Sequence, residues 1–185
     1  MSGFERYNKI LNLFSEQRNS LTVAEISQEL KVPASTVYRI VREMVLAEFI
    51  ESAAGSYFRL GQAFIKFNRI INLSDPLIQA GEPFLKKLAN ENPIPSTNIL
   101  ARLFGNKVMC VADFKHSTFK NNTSYQKGRL MPLLYGATSR AIIMQITEKR
   151  LNNILNLEGL NDDMQKEIFI KGLDQDKKKG FCKTE

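Results

Sequence analysis

Two short amphipathic segments, joined by a turn that contains a proline, constrain this fold most. The stretch that begins at Leu21 reads LTVAEISQELKVPASTVYRIVREM. Thr22 and Glu25 have the T-x-x-E spacing of a capping box, and Leu21 and Ile26 have the spacing of a hydrophobic staple, so a helix is predicted to begin here. A residue before proline disfavours the helical conformation, so this helix is predicted to end near Pro33. The stretch therefore predicts two helices joined by a tight turn.

The second helix, predicted from about residue 34 to 47, has one apolar face and one polar face. Its apolar stripe comprises Val37, Ile40, Val41, Met44 and Val45. The opposite stripe carries Ser35, Tyr38, Arg39 and Arg42, without an acid. Arginine pairs guanine bidentately or holds phosphate, and hydroxyl groups donate to phosphates and base edges. This stripe predicts contact with nucleic acid, and an ordinary solvated helix face is the alternative that the residues leave open.

Flanking segments complete the pattern of a winged helix-turn-helix. A first helix is predicted from the stripe of Tyr7, Ile10, Leu11 and Phe14. The runs FIES and YFRL around AAG predict a β-hairpin, with Phe58 and Leu60 facing inward and Tyr57 and Arg59 facing outward. Three helices followed by this hairpin predict a DNA-binding domain over residues 1–61.

Charge and cysteine content limit the other classes of protein. The formal net charge is +7, yet residues 1–60 hold seven Lys/Arg and seven Asp/Glu, so the predicted DNA-binding part is neutral overall. No apolar run approaches the roughly 18–20 residues of a membrane span, and the start MSGFERYNK lacks the apolar block of a signal peptide. Cys110 and Cys182 form no CxxC motif, which favours a reducing cytoplasm and predicts no metal site.

Beyond residue 61 the sequence predicts one apolar helix and then a second domain. The helix over 62–74 places Phe64, Phe67 and Ile71 on one face, so it needs the next domain or a second copy as a partner. Another helix is predicted to begin at Pro76, with Pro83 kinking it or removing one hydrogen bond. TNILARLF and KVMCVADF predict a hairpin, TSYQKGRLMP a third strand or an extended loop, and three helices are predicted over 136–146, 147–160 and 161–180.

Catalytic patterns are weak along the chain. His116 is the only histidine, and Ser139 lacks a G-x-S-x-G context, so neither an enzyme nor a cofactor is expected. GRLMPLLYGATSRA leads into a helix whose first-turn amides favour a small anion, with an ordinary capped helix as an equal alternative.

The order of these parts resembles the IclR family of bacterial transcription regulators. The matching segments are ILNLFSEQRNSLTVAEISQELKVPASTVYRIVREM, FRLG, QAGEPFLKKLANE and GRLMPLLYGATSRAIIM. The resemblance implies a winged helix-turn-helix, a linker helix that supports dimerisation, and an effector domain with a mixed sheet that binds small organic acids or aromatic carboxylates. The DNA-binding residues that it implies are Ser35, Thr36, Tyr38, Arg39, Arg42 and Arg59. Thr22 is predicted as a further DNA-binding residue. The effector-binding residues that it implies are Met131, Gly136, Ala137 and Thr138.

The sequence departs from the family at three places. Glu48 stands where the family usually has a glycine that ends the recognition helix, and Ser139 and Arg140 occupy the places of a Gly-Lys pair. The chain stops where the family's chain enters the core strands of its sheet, so the domain over 75–185 is expected to be incomplete.

The predicted fold class is α+β: an N-terminal winged helix-turn-helix, a linker helix and an incomplete mixed α/β effector domain. The predicted function is a sequence-specific DNA-binding transcription regulator, repressor or activator, that acts as a homodimer or higher oligomer. Its predicted partners are a double-stranded DNA operator, itself and a small carboxylate effector, and no membrane. The alternative is a truncated dimerisation or interaction module without effector control.

Overall fold

The computed structural model describes residues 3–118 and 125–184. The chain folds into two compact units, Met1–Asp75 and Pro76–Glu185. The linker helix predicted over 62–74 groups with the first unit.

The N-terminal unit combines helices with one small sheet. Its elements are α1 (Gly3–Leu11), β1 (Ser20–Thr22), α2 (Val23–Leu30), α3 (Ala34–Leu46), β2 (Ile50–Ser52), β3 (Tyr57–Leu60) and α4 (Ala63–Ser74). β3 pairs antiparallel with both β1 and β2, which gives the strand order β1-β3-β2. The hairpin β2–β3 is the predicted wing, while β1 was not predicted because a three-residue strand carries almost no periodic signal.

The start of α2 agrees with the sequence prediction. The Thr22 hydroxyl accepts a hydrogen bond from the Glu25 backbone N–H at 3.3 Å, and the Glu25 carboxylate accepts one from the Thr22 backbone N–H at 2.7 Å. Leu21 and Ile26 are both fully buried. The capping box and the staple therefore set both the start of α2 and its rotation about its own axis.

Two details of the N-terminal unit differ from the prediction. α1 ends at Leu11, and Phe14 lies in the turn that follows. The Phe14 backbone N–H donates to the Leu11 carbonyl at 3.3 Å. Phe14 still packs on the core, because the turn returns it to the side that α1 buries. Leu60, predicted to face inward, is 44 % exposed, since it ends β3 at the edge of the core, whereas Phe58 packs against the core.

The C-terminal unit contains one larger sheet and four helices among its described residues. Its elements are α5 (Pro76–Glu91), β4 (Thr97–Phe104), β5 (Lys107–Lys115), β6 (Leu130–Pro132), α6 (Ala137–Ile143), α7 (Glu148–Leu157) and α8 (Asp163–Lys179). The strand pairs β4–β5 and β5–β6 are antiparallel, and one isolated parallel bridge joins Cys110 to Lys127.

TSYQKGRLMP was predicted to form either a third strand or an extended loop, and the structure describes only part of this segment. Its last residues form β6, whereas Thr123 and Ser124 lie outside the described residues. α6 is also shorter than predicted, because the chain turns after Ile143 and Ile146 N–H donates to the Ile143 carbonyl at 3.0 Å.

Two apolar clusters hold the C-terminal unit together. α5 packs on the sheet through Ile78 and Leu85, which lie with Val111 and Ala112. The helices α6, α7 and α8 form the second cluster with β5, and its buried residues are Val108, Leu133, Ile143, Leu151, Ile154, Leu155 and Leu173. The architecture is α+β, as predicted.

Candidate nucleic-acid interface

The rotation of α3 is set by its apolar stripe. Val37, Ile40, Val41 and Met44 are all at most 4 % exposed and belong to the core of the N-terminal unit. The opposite side of the helix therefore faces solvent. It carries four of the predicted DNA-binding residues, Ser35, Tyr38, Arg39 and Arg42, and all four are exposed.

Thr36 differs from these four residues because it is half-buried. It lies in the first turn of α3, and its backbone N–H donates to the carbonyl of Pro33, which precedes the helix, at 3.0 Å. Its side chain thus lies between the exposed face and the buried stripe of α3.

A shallow hollow separates α3 from the wing. Tyr38 and Arg42 of α3 line one side of it, and Ser52 and Phe58 of the wing line the other. The structure thus brings part of the predicted recognition face beside the hairpin that the sequence predicted separately.

Arg59 faces outward on the wing, as predicted, but an acid is bound to it. Its Nε donates to a Glu51 carboxylate oxygen at 2.6 Å, and the two residues are direct cross-strand partners. The Arg59 side chain is 62 % exposed and that of Glu51 is 30 % exposed. The sequence reasoning missed this pair, although opposite charges at paired positions of a short hairpin are a signal for it.

A second acid lies one turn beyond Arg39. Glu43 is exposed on α3, and its carboxylate accepts a hydrogen bond from the Tyr7 hydroxyl of α1. This hydrogen bond is the main reason why the pKa of the Tyr7 phenol is raised above its usual value. An acid therefore borders the stripe that the sequence showed as free of acids, and it ties α3 to α1.

Thr22 has a structural task at the start of α2. Besides accepting from the Glu25 backbone, its hydroxyl donates to the Glu25 carboxylate at 2.8 Å. The Thr22 backbone N–H, followed by this hydroxyl, lowers the pKa of the Glu25 carboxyl. A DNA contact by Thr22 stays a prediction, and its hydroxyl would have to serve the cap and the phosphate together.

The predicted effector-binding residues lie along one segment of the C-terminal unit. Met131 belongs to β6, and Gly136, with φ +83°, leads into Ala137 and Thr138 at the start of α6. All four residues are partly buried. The Tyr125 hydroxyl lies 3.4 Å from where a Cβ on Gly136 would stand, so this segment passes close to Tyr125.

The two departures from the family pattern in this segment have partners within the unit. Ser139 is fully buried, and its hydroxyl donates to the Pro132 carbonyl at 2.8 Å and lies 3.1 Å from the Tyr125 hydroxyl. Arg140 donates to one Asp176 carboxylate oxygen through Nε at 2.8 Å and Nη2 at 2.6 Å, and its guanidinium lies 5.7 Å from the centre of the Phe169 ring. Arg140 therefore joins α6 to α8.

Neither a metal-binding cluster nor a membrane span occurs in the part of the chain that the structure describes. Over 3–118 and 125–184, no three His, Cys, Asp or Glu residues come together in a way that would hold a metal ion. Within the same ranges, every helix is too short or too polar to cross a bilayer.

Comparison with known proteins identifies the N-terminal domain. Residues 5–53 match the model of the IclR helix-turn-helix domain. The chain thus contains an IclR-type helix-turn-helix domain. The matched range contains α2, α3 and every predicted DNA-binding residue except Arg59, which lies on the second strand of the wing. The N-terminal unit thus contains the helix-turn-helix domain that the sequence predicted.

The similarity extends past this domain. The chain is 24 % identical over 192 residues to the HTH-type transcriptional repressor AllR of Salmonella typhimurium, across 97 % of this chain and 67 % of AllR. It thus spans about two thirds of the length of that relative.

Solved structures of the family share the fold. An IclR-family regulator from Alicyclobacillus acidocaldarius aligns with a TM-score of 0.77 at 19 % identity, over 96 % of this chain and 73 % of that one. An IclR homolog from Microbacterium hydrocarbonoxydans, complexed with 4-hydroxybenzoate, aligns with a TM-score of 0.65 at 21 % identity, over 84 % of this chain and 63 % of that one. The predicted fold class is confirmed by these alignments.

Proposed function

We propose that this IclR-family chain is a sequence-specific transcription regulator that reads its operator with α3 and contacts the DNA backbone with the wing. One observation carries the proposal: burial of Val37, Val41 and Met44 turns Tyr38 and Arg39 outward on a helix of an IclR domain. A helix-turn-helix places such a face in the major groove, where arginine distinguishes guanine from the other bases.

The test begins with selection of bound sequences from a random duplex library by the purified chain. We expect Arg39→Ala to weaken binding to the selected duplex by about 1–3 kcal/mol if Arg39 pairs a base, with relaxed selectivity at that base pair. Arg18→Ala is the matched control, since Arg18 is an arginine of the same domain that pairs with Glu29 and lies before α2. Unchanged binding in the Arg39→Ala/Arg42→Ala double variant would rule out α3 as the reading element.

We also propose that the chain binds DNA as a homodimer through α4. Phe64 and Phe67 of α4 lie 5.7 Å and 6.1 Å, ring centre to ring centre, from Phe49. Elsewhere the helix exposes apolar surface, with Ile65 72 % and Leu73 63 % exposed. Exposed apolar surface on one helix supports a protein–protein contact, and a dimer suits a palindromic operator.

Sedimentation of Ile65→Glu and Leu73→Glu variants tests the dimer. We expect both to shift the chain toward monomer at concentrations where the wild type is dimeric. Asn68→Glu adds the same charge on the same helix and is the matched control, expected to leave the dimer intact. A wild-type chain that is monomeric at high concentration contradicts the proposal.

We further propose that a small aromatic or organic carboxylate binds at the segment of Met131, Gly136, Ala137 and Thr138. The support is the family pattern of this segment together with the 4-hydroxybenzoate complex of the Microbacterium hydrocarbonoxydans homolog. Calorimetric titration with 4-hydroxybenzoate and related carboxylates tests it. We expect Thr138→Val to weaken binding and Thr147→Val, an exposed threonine before α7, to leave it unchanged.

The alternative function, a dimerisation or interaction module without effector control, is separated by the same assays. Such a module would retain the dimer and respond to none of the carboxylates. It would also form mixed dimers with a full-length family member on co-expression.

A further inference from the structure

Glu51 lies beside the single predicted DNA contact of the wing. Its carboxylate accepts from Arg59 Nε at 2.6 Å, and the two residues face each other across β2 and β3. The contact uses Nε, whereas a guanidinium carries four further N–H donors on its two terminal nitrogens. Arg59 therefore keeps donors for a phosphate while its charge is balanced by the carboxylate.

We propose that Glu51 is a specificity-determining residue of the wing, because it limits the sequence-independent attraction of Arg59 to DNA phosphate. The proposal rests on the proposed DNA-binding function. It assigns a role to an acid that lies outside the predicted set of DNA-binding residues.

Charge repulsion is the physical reason. A phosphate bound at the free edge of Arg59 lies within about 8 Å of the Glu51 carboxylate, which is the screening length at physiological salt, so the two anions repel each other. Contacts to phosphate hold a protein on any sequence, whereas contacts to base edges select one. A weaker phosphate contact at the wing makes binding depend more on the base contacts of α3. Specific binding proteins commonly include such a repulsive interaction, which disfavours the wrong partner.

The charge balance of the whole domain agrees with this role. Residues 1–60 have seven Lys/Arg and seven Asp/Glu, so no surplus of positive charge holds the domain on DNA. Of these acids, Glu25 caps α2 and Glu43 accepts from Tyr7, whereas Glu51 is bound directly to a predicted DNA-contacting arginine.

The experiment measures binding of the full chain to a fluorescent duplex of random sequence over a series of salt concentrations. We expect Glu51→Gln, which keeps an oxygen that can accept from Arg59, to bind about 2- to 5-fold more tightly at low salt. The slope of log K against log salt should steepen by up to about 0.9, because the charge of Arg59 is then no longer balanced by a carboxylate and neutralises one more phosphate.

Glu29→Gln is the matched control. Glu29 accepts from Arg18 at 2.6 Å in an equally short and partly exposed pair, so both variants remove one negative charge from one ion pair of the same domain. We expect Glu29→Gln to change affinity less than Glu51→Gln. In an Arg59→Gln background, Glu51→Gln should change affinity no more than Glu29→Gln does, since the arginine through which it acts is gone.

Three results would overturn the proposal. They are equal effects of Glu51→Gln and Glu29→Gln, a gain from Glu51→Gln that is as large in the Arg59→Gln background as in the wild type, and weaker binding by Glu51→Gln, which would make the carboxylate an aid to Arg59 instead. Glu51→Thr, with a side chain well suited to strands, replaces Glu51→Gln should that variant fold poorly. If wild-type binding is unaffected by loss of Arg39 and Arg42 together, the proposed function fails; if it is affected but Glu51 has no special effect, only this inference fails.

Discussion

Glu48 and Gly61 meet where the wing returns to α4, and their backbones approach closely. A Cβ on Gly61 would stand 2.2 Å from the Glu48 carbonyl oxygen, and the Gly61 N–H donates to the Phe49 carbonyl at 2.9 Å. Glu48 itself has φ +62°, in the left-handed region that favours glycine. The family's usual glycine at this position therefore has a conformational reason, and this chain adopts the left-handed conformation with a glutamate.

Gly61→Ala is expected to destabilise the N-terminal unit by about 3 kcal/mol or more, because the new methyl group would overlap backbone that cannot move aside alone. Denaturant unfolding followed by circular dichroism measures the loss. Gly3→Ala is the matched control, since a Cβ there would meet only a Tyr7 ring carbon at 3.9 Å. Equal stability of the two variants would show that the chain relaxes at the junction.

Glu48→Gly is expected to raise the free energy of unfolding by up to about 1 kcal/mol, because it relieves a left-handed glutamate. Part of this gain is offset by the greater freedom of glycine in the unfolded chain. Ala47→Gly changes the preceding residue, whose φ is −88°, and is expected to lower stability by roughly 0.5–1 kcal/mol. Thermal melting of both variants distinguishes the two effects, and a loss of stability in Glu48→Gly contradicts the argument.

At the scale of elements, one ion pair connects two helices of the C-terminal unit. Arg140 of α6 and Asp176 of α8 are 23 % and 16 % exposed, so their contact is more sheltered than the pairs along single helices. The Arg140 guanidinium, which donates twice to Asp176, is the main reason why the pKa of that carboxyl is lowered. Arg140 and Asp176 are 36 positions apart in the sequence, so this ion pair joins two helices, whereas an i,i+4 pair stabilises only one.

The lowered pKa sets the pH dependence of this contact. A carboxyl whose pKa is lower in the folded state stabilises the fold above its unfolded pKa, roughly pH 4, and loses this contribution as the pH falls through the folded value. We expect Asp176→Asn to lower the melting temperature at neutral pH and to match the wild type in strong acid.

Melting curves from neutral to strongly acidic pH measure this convergence. Glu167→Gln is the control, because Glu167 pairs with Lys171 on the exposed surface of α8, and its removal should lower the melting temperature less at neutral pH. A constant difference between Asp176→Asn and wild type across the series would mean that the ion pair does not titrate as argued.

At the scale of the whole molecule, charge is distributed away from the predicted reading face. The chain has a net charge of +7, whereas residues 1–60 have none, so the surplus lies in the remainder of the sequence. The N-terminal unit contains three arginines that are predicted to contact DNA: Arg39, Arg42 and Arg59. Binding to DNA should therefore depend on a few placed arginines and not on the total charge.

The salt dependence of operator binding tests this distribution. With three arginines from each chain of a dimer, the slope of log K against log salt should be no steeper than about −5. Fluorescence anisotropy over a series of potassium chloride concentrations gives the slope. A value near −8 or beyond would mean that cations other than these three arginines also contact the DNA.

Local signals in the amino-acid sequence were enough to predict several helix starts. The capping box at Thr22, the apolar stripe of α3 and the proline at residue 76 act over a few residues, so the starts of α2, α3 and α5 were predicted closely. The exposed face of α3 followed, because burial of one helical stripe decides where the opposite stripe points.

Contacts between distant segments became evident only in the folded chain. β1 forms because β3 lies beside it, and the partners Tyr7–Glu43, Glu51–Arg59 and Arg140–Asp176 belong to different elements. The helical and strand periodicities of a sequence describe one element at a time and do not indicate which elements pack against each other. The sequence therefore predicted the reading face of the N-terminal unit, whereas the partners of the acids beside it became evident only in the folded chain.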